Sequence, residues 1–356
     1  MVYRNLKGEF TKFNVRKKHL SNATLNALKC KMSNGRYKLL RGRLSMDIKK
    51  IIPNINKHIK KGTKYIKPSK NAHMGLCVPE IVLKYGNIKT KVKSIPNVGN
   101  YMIRCIMELR KTYKELYKQP QNPSLKISDK DFADLKSFGK DLGVNDIGFT
   151  QVDTSYIFRD RMILYKNAIV ILMEMKPDII KTAPSKLAEK EIFRTYYELN
   201  VAVNKIKGFL NERGYNSQAG PALGGEVNYP LLAQKAGMGV IGKHGMLITP
   251  NFGPSLRLAA IYTDIENLPI NEQNEHMWVN KFCDSCNRCI NKCPGNAIYW
   301  DTKIFDDGSK QYIDYKKCAK PFSRNHGCTV CIKECIFFRS DYYKIKEKYS
   351  NKLMKK

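Results

Sequence analysis

No apolar run in these 356 residues approaches the ~18 consecutive positions that a bilayer-spanning helix needs. The N-terminus, MVYRNLKGEFTKFNVRKK, is charged but has neither an apolar core nor a twin arginine, so it does not read as an export signal. These two absences predict a cytoplasmic chain with no membrane span. No repeat of solenoid length recurs, which excludes a stacked-repeat architecture. Acidic residues are scarce, 31 Asp and Glu against 64 Lys and Arg, for a formal net charge of +33. The excess is uneven. Residues 1–120 hold 29 Lys and Arg and 5 Asp and Glu, a surplus of 29 − 5 = 24. Lysine outnumbers arginine and no basic motif is interleaved with aromatics. The charge therefore fits a surface for RNA or another polyanion, and equally an ordinary lysine-covered solvated face.

Cysteine, by contrast, is plentiful and crowded. Eight of the 11 cysteines lie between positions 283 and 335; Cys30, Cys77 and Cys105 are scattered and read as packed or idle thiols. Without an export signal, the crowded ones belong to metal rather than to disulfides. The stretch FCDSCNRCINKCP (282–294) spaces them C-x2-C-x2-C-x3-C-P. Thiolates at i, i+3 and i+6 can wrap one corner of a cubane cluster, and a fourth placed before proline turns away to a second cluster. Cys318, Cys328, Cys331 and Cys335 answer the first four. The crossing pattern predicts Cys283, Cys286, Cys289 and Cys335 on one [4Fe–4S] cluster, and Cys293, Cys318, Cys328 and Cys331 on the other. Zinc competes for C-x2-C pairs, although the triple step followed by C-P suits tetrahedral zinc poorly. Two features depart from the ideal pattern: Cys335 precedes Ile336 rather than proline, and the step from Cys318 to Cys328 is long.

An electron carrier would need only a fraction of this chain. The breaker KQPQNPS (118–124) marks a boundary. Beyond it, Ser128 with Asp131 three residues on is a helix start; Phe132, Leu135, Phe138 and Leu142 then share a face, and Gly143 ends the helix. A strand is expected at 146–152 and a buried one at 167–175. A long helix should run from about Ser185 to Arg213, with further strands at 246–250 and 255–265. Helices alternating with apolar strands predict a layered α/β (α+β) core. The expected division is a basic N-terminal region over 1–125, a catalytic core over 126–275, a cysteine module over 276–340 and a basic tail over 341–356. Within the core, QKAGMGVIGKHGMLITPNFGPSLRLAAIYTD (234–264) is rich in glycine. No strand leads directly into it and no ribose-binding acid follows in a βαβ frame, so it is a poor dinucleotide fingerprint. Its physical content is a backbone that a large flat ligand could approach closely.

That segment is followed by the first cysteine motif with CPGNAI (293–298), then by Cys318 and GCTVCIKEC (327–335). In order and spacing this resembles the corrinoid-dependent iron–sulfur reductases, a superfamily holding the epoxyqueuosine reductases and the reductive dehalogenases. The resemblance covers residues 128–339, about 60% of the chain. IGKHGMLI (241–248) is similar to the epoxyqueuosine reductase branch, whereas ITPNFGPSLRL (248–258) and KTAPS (181–185) lean towards the dehalogenases. The resemblance implies a nitroreductase-like core holding base-off cobalamin, with no protein histidine on cobalt. It also implies a bacterial ferredoxin-like module with two [4Fe–4S] clusters, fed by an external low-potential donor of ferredoxin or flavodoxin type. The implied substrate is epoxyqueuosine in tRNA or a small organic molecule. The alternative is a [4Fe–4S] electron-transfer protein without a catalytic corrinoid.

Chemistry of this kind needs a proton donor above the cobalt, an aspartate in one branch and a tyrosine in the other. In GPALGGEVNYPLLAQKAGMG (220–239) the proton-capable residues are Glu226 and Tyr229. Each has a plainer alternative, a solvated helix-start acid and a packed tyrosine respectively. Gly237, Gly239, Gly242, Lys243, His244 and Gly245 are expected to contact the cofactor; for Lys243 and His244 the alternative is a solvent-exposed turn. Arg257 falls on an expected strand, where an unpaired charge would be costly. It should therefore pair with a carboxylate or with the cofactor phosphate.

Overall fold

The computed structural model describes residues 2–4, 10–12 and 53–354, apart from 54, 71, 74, 76, 77, 271, 272 and 307. Cys30 and Cys77 lie outside the described residues. Met1–Leu44 and Ser45–Lys356 are two separate compact units. In the first, strands β1 (Val2–Arg4) and β2 (Phe10–Lys12) pair antiparallel.

The second unit opens with helices α1 (Val78–Tyr85) and α2 (Ile88–Lys114). Next come α3 (Asp129–Asp141), β3 (Asp146–Gln151), β4 (Asn167–Glu174), the single turn α4 (Pro177–Ile180) and the long α5 (Lys186–Glu212). After β5 (Ser217–Gly220), α6 (Tyr229–Lys235), β6 (Val240–Ile241) and β7 (Leu247–Ile248), strand β8 (Leu256–Thr263) completes the sheet. The order is β3-β4-β8-β5, and every pairing is antiparallel.

Strand period sorts the core. Ile169 and Ile171 of β4 face one side, with Leu199, Val203 and Ile206 of α5 and Leu135 of α3. Ala168, Val170 and Leu172 face the other side, with Leu232 and Ala233 of α6. Both faces are covered, which is why β4 reads as an unbroken apolar run rather than an alternating one. The helices begin where side-chain caps allow. Ser128 accepts from the Asp131 amide and Ser185 from the Ala188 amide. Gly143 and Gly214, both at positive φ, follow the ends of α3 and α5.

Helix α2 carries no legible period because apolar residues fall on both of its sides. Val98, Cys105, Leu109 and Tyr113 are buried, while Val92, Ile95, Ile103 and Met107 are exposed. Its inner side pairs with α5 through polar contacts as well. The Thr112 hydroxyl donates to Asn204 Oδ1 at 2.8 Å, and Asn204 Nδ2 donates to Glu108 Oε2 at 2.9 Å. Lys207 Nζ donates to the carbonyls of Glu115 (3.0 Å) and Lys118 (2.6 Å) just past the end of α2. A cation there complements the negative end of the helix dipole.

The cysteine module is built from short pieces. Helices α7 (Trp278–Cys286) and α8 (Arg288–Asn291) lead to the hairpin β9 (Ile298–Ile304) and β10 (Lys310–Ile313). Helices α9 (Tyr315–Arg324), α10 (Val330–Lys333), α11 (Ile336–Arg339) and α12 (Tyr342–Met354) follow. Trp278, Phe282, Phe337, Tyr342 and Tyr349 stack edge to face between α7, α11 and α12. Among the described residues no helix is long and apolar enough to cross a membrane.

Candidate functional site

Two groups of side chains emerge from the expected site residues. The first surrounds a small pocket lined by Cys283, Cys286, Cys289 and Cys335, with Lys243 and His244. Cys283 and Cys286 ride the last turns of α7. Asn287 then takes the left-handed conformation (φ 48°), a bend that asparagine tolerates, and α8 brings in Cys289. Cys335, just before α11, closes the pocket from the far side.

The other four thiols are also neighbours. A thiolate at Cys293 would raise the pKa of Cys318, Cys328 and Cys331 alike, and one at Cys318 or Cys328 that of Cys331, so the four are electrostatic neighbours. Cys331 also senses Cys289, so the two sets adjoin. Cys328 and Thr329 hold positive φ, which sets Cys328 ahead of the one-turn helix that carries Cys331.

Burial pushes the thiols up, Cys283 to about 12 and Cys289 and Cys318 to about 11. Left alone, these groups stay protonated at neutral pH; thiolates here need a cationic ligand set among them. Among the described residues no three His, Cys, Asp or Glu side chains converge tightly enough for a single ion. Cys283, Cys286, Cys289 and Cys335 stand instead around the walls of the first pocket.

His244 is 2% exposed and lines the first pocket. Its Nδ1 accepts from the Met246 amide at 3.1 Å, which leaves the ring proton on Nε2, and Nε2 has no partner. Burial lowers its pKa to about 4, so the imidazole is neutral. Nε2 is thus a buried donor without an acceptor on a residue that lines the thiol pocket. Lys243 is committed elsewhere: its Nζ reaches Asp284 (3.4 Å), Asn287 Oδ1 (3.3 Å) and the Trp300 carbonyl (3.0 Å). The 242–245 turn is thus fastened to the module rather than left in solvent.

The glycines have reasons inside the chain itself. A Cβ on Gly239 would lie 2.1 Å from the Ile248 carbonyl oxygen, and one on Gly242 2.6 Å from Ile248 Cδ1. Both serve the tight β6–β7 pairing. Gly237 and Gly245 sit at positive φ, after α6 and in the β6–β7 turn. Arg257, on β8, has no carboxylate partner among the described residues. Nη1 donates to the Leu256 carbonyl, the guanidinium lies 4.7 Å from the Tyr196 ring centroid, and buried Nε is unpartnered. That free N–H fits an anionic or amide oxygen.

The second group forms on the face of the sheet covered by α6. Gly220 and Gly225 make a slot for the Tyr229 ring; a Cβ on Gly225 would lie 2.1 Å from its hydroxyl oxygen. Tyr229 donates to the Pro221 carbonyl at 3.1 Å and lies beside Tyr262. Glu226 is fully buried rather than solvated, and Asn228, not Glu226, caps α6. Glu226 Oε1 accepts from the Tyr113 hydroxyl at 2.9 Å, while Oε2 is unpartnered. Desolvation raises the Glu226 pKa to about 7, opposed by the Tyr113 hydrogen bond and the nearby Arg161 charge. Sequence reasoning missed Tyr113, Arg161 and Tyr262. Tyr113 lies on a helix whose period is blurred, and nothing local marks it.

No family model matches the chain. Tetrachloroethene reductive dehalogenase of Desulfitobacterium hafniense is 30% identical over 184 residues, 48% of this chain and 32% of the relative. The enzyme of the same description from Sulfurospirillum multivorans is 28% identical over 187 residues, 50% of this chain and 36% of the relative. Epoxyqueuosine reductase of Bacillus subtilis is 23% identical over 245 residues, 57% of this chain and 62% of the relative. The chain thus spans about a third of the length of the dehalogenases it matches. Among solved structures, a catabolic reductive dehalogenase superposes with a TM-score of 0.65 at 16% identity, covering 80% of this chain and 44% of that one. A second reductive dehalogenase gives 0.64 at 16%, covering 88% and 49%. At these identities the structural likeness is one of fold. The relatives include reductive dehalogenases and epoxyqueuosine reductases, which supports the corrinoid and iron–sulfur reductase superfamily that the motifs resemble.

Proposed function

We propose that this chain is an oxidoreductase that passes electrons through two [4Fe–4S] clusters to a corrinoid, where a small organic substrate is reduced. The reading rests chiefly on the cysteine geometry: one quartet lines a single pocket, and a second quartet adjoins it. Cys283, Cys286, Cys289 and Cys335 would hold one cluster, with His244 Nε2 free to donate to its sulfur. Cys293, Cys318, Cys328 and Cys331 would hold the other. A corrinoid supplies, when bound, the low-potential cobalt chemistry that no side chain provides. Arg257 Nε is the orphaned donor available to its amides or phosphate.

The remaining work falls to the chain's own groups. Tyr113 pins Glu226 Oε1, so the proton of the neutral acid sits on Oε2, the oxygen with no other partner. With a pKa near 7 this carboxyl keeps that proton close to neutral pH and can release it without a large penalty. Tyr229 has its hydroxyl proton directed at Pro221 and its pKa raised well above the ordinary value by burial. Glu226 is therefore the better-placed proton source, and Tyr229 orders the wall beside it. The buried apolar surroundings exclude water from both.

Two observations favour other members of the same set. The surplus of cations suits a tRNA substrate such as epoxyqueuosine. The internal packing reasons for Gly239 and Gly242 suit an electron-transfer protein that needs no corrin. Anaerobic reconstitution with iron and sulfide, followed by cobalamin, separates them. The proposal expects iron–sulfur absorbance and a base-off cobalamin EPR signal, and a cobalamin spectrum unchanged by mixing would sink it. Queuosine and its epoxide, compared in tRNA from cells with and without the gene, would reveal the tRNA substrate.

A further inference from the structure

Helix α9 carries Cys318 and has no acidic residue. Lys316, Lys317, Lys320 and Arg324 are all exposed. At 100° per residue these four fall within an arc of about 100°, and Cys318 points about 150° from its centre. The cations therefore face outward while the cysteine faces the second thiol set behind the helix. Asp314, at the start of α9, spends its carboxylate capping the amides of Lys316 and Lys317 (2.9 and 3.1 Å).

Helix α1 packs beside α9 and extends the charge. The Asn87 amide after α1 donates to Ser323 Oγ at 2.7 Å, and the Tyr85 and Tyr315 rings meet edge to face at 6.2 Å. Lys84 and Lys316 each place Nζ 5.5 Å from the centroid of the Tyr85 ring. The resulting face has a small aromatic centre and a rim of cations; among the described residues of α1, α9 and its cap, the acids are the half-buried Glu80 and Asp314.

We infer that the α1–α9 face is the docking surface for a small acidic redox protein that supplies electrons to the chain. This rests on the reading of the cysteines as cluster ligands and adds the place and charge of the partner. Cys318, on the inner side of α9, is separated from the face by about one helix diameter, 10–12 Å. Lysines act as mobile point charges, which suits brief encounters and fast release. A nucleic acid would also answer positive charge, but it gains nothing from a surface backed by a cysteine-bearing helix. In each encounter the donor loses one electron and the cluster gains one, and no bond is made or broken.

The experiment pairs the reconstituted protein with an acidic flavodoxin. Affinity is measured by calorimetry and the rate of cluster reduction by stopped flow, across a salt series. Binding and rate should both fall as salt rises. Lys317→Glu with Lys320→Glu should weaken each at least about tenfold at low salt. Reduction by dithionite and the cluster absorbance should be unchanged, which shows that the variant is folded. Equal affinity and rate for the wild type and variant would overturn the docking surface. So would a loss confined to binding of an RNA stem-loop, which would give the face to nucleic acid. A wild-type protein with no dithionite-reducible cluster would overturn the cysteine reading itself, and that result is visible before any donor is added.

Discussion

Strand β4 is buried almost throughout, whereas helix α10 buries only Ile332, and the two are secured in different ways. Seven of the eight residues of β4 are buried, between ladder partners on both sides and helices on both faces. Helix α10 is one turn of four residues, entered through positive φ at His326, Cys328 and Thr329. A single turn does not stand alone in water. The sheet holds itself by burying apolar surface. The module rests on the core through smaller apolar contacts, Ile332 of α10 with Met175, Ile180 and Ile192, and Trp278, Phe337 and Tyr342 with Val240 and Ile248, while one set of its thiols lines a pocket. The sheet can therefore form without a cofactor, whereas the module should be completed by what its cysteines bind.

Removing iron by chelation, or changing Cys331→Ser, should have the largest effect and a local one. Amides of 283–335 should lose hydrogen-exchange protection while those of β3, β4 and β8 keep theirs. Equal loss in both regions would break the contrast. Next in size, Leu172→Ala in the sheet should cost about 3 kcal/mol in denaturant unfolding with the iron–sulfur absorbance retained. Loss of that absorbance would mean that the regions are not separable.

Glu226→Gln sharpens the picture on the sheet side. The folded-state pKa of Glu226, about 7, lies above its ordinary 4.5. Between those values the folded protein holds a proton that the unfolded chain has lost, so stability should fall as pH rises from 4.5 to 7 and then level off. The contribution is at most about 3 kcal/mol. The amide variant should lose this slope and, under the proposed mechanism, most of its reductase activity; an unaltered pH profile would remove Glu226 from consideration. The smallest effect on stability is expected for His244→Leu. There the cluster potential should drop as a hydrogen bond to sulfur is lost. A potential equal to that of the wild type, measured by redox titration, would detach His244 from the pocket.

Features encoded locally were legible in the sequence. Helices α3 and α5 announce themselves through Ser128 and Ser185 at one end and Gly143 and Gly214 at the other. The unbroken apolar run of β4 marks a strand buried on both faces. Strand β5 did not show, because SQAG is four residues long and polar at its start. Helix α2 did not show because Val92, Ile95, Ile103 and Met107 scatter apolar character over its outer side. The candidate site divides likewise. Thiol spacing is a local property, and the neighbourhood of Cys283, Cys286 and Cys289 follows from it. The environment of Glu226 depends on Tyr113, 113 positions away, which only the packing of α2 brings near.

The pairing of α2 with α5 also has a consequence in time. Lys207, which holds the end of α2, comes 92 residues after Glu115. At roughly 5–20 residues per second of synthesis, α2 leaves the ribosome about 5–20 s before its cap exists. During that interval the side of α2 that will be covered stands open together with the side that stays exposed. Slowing translation between positions 115 and 207 should therefore lower the yield of folded protein.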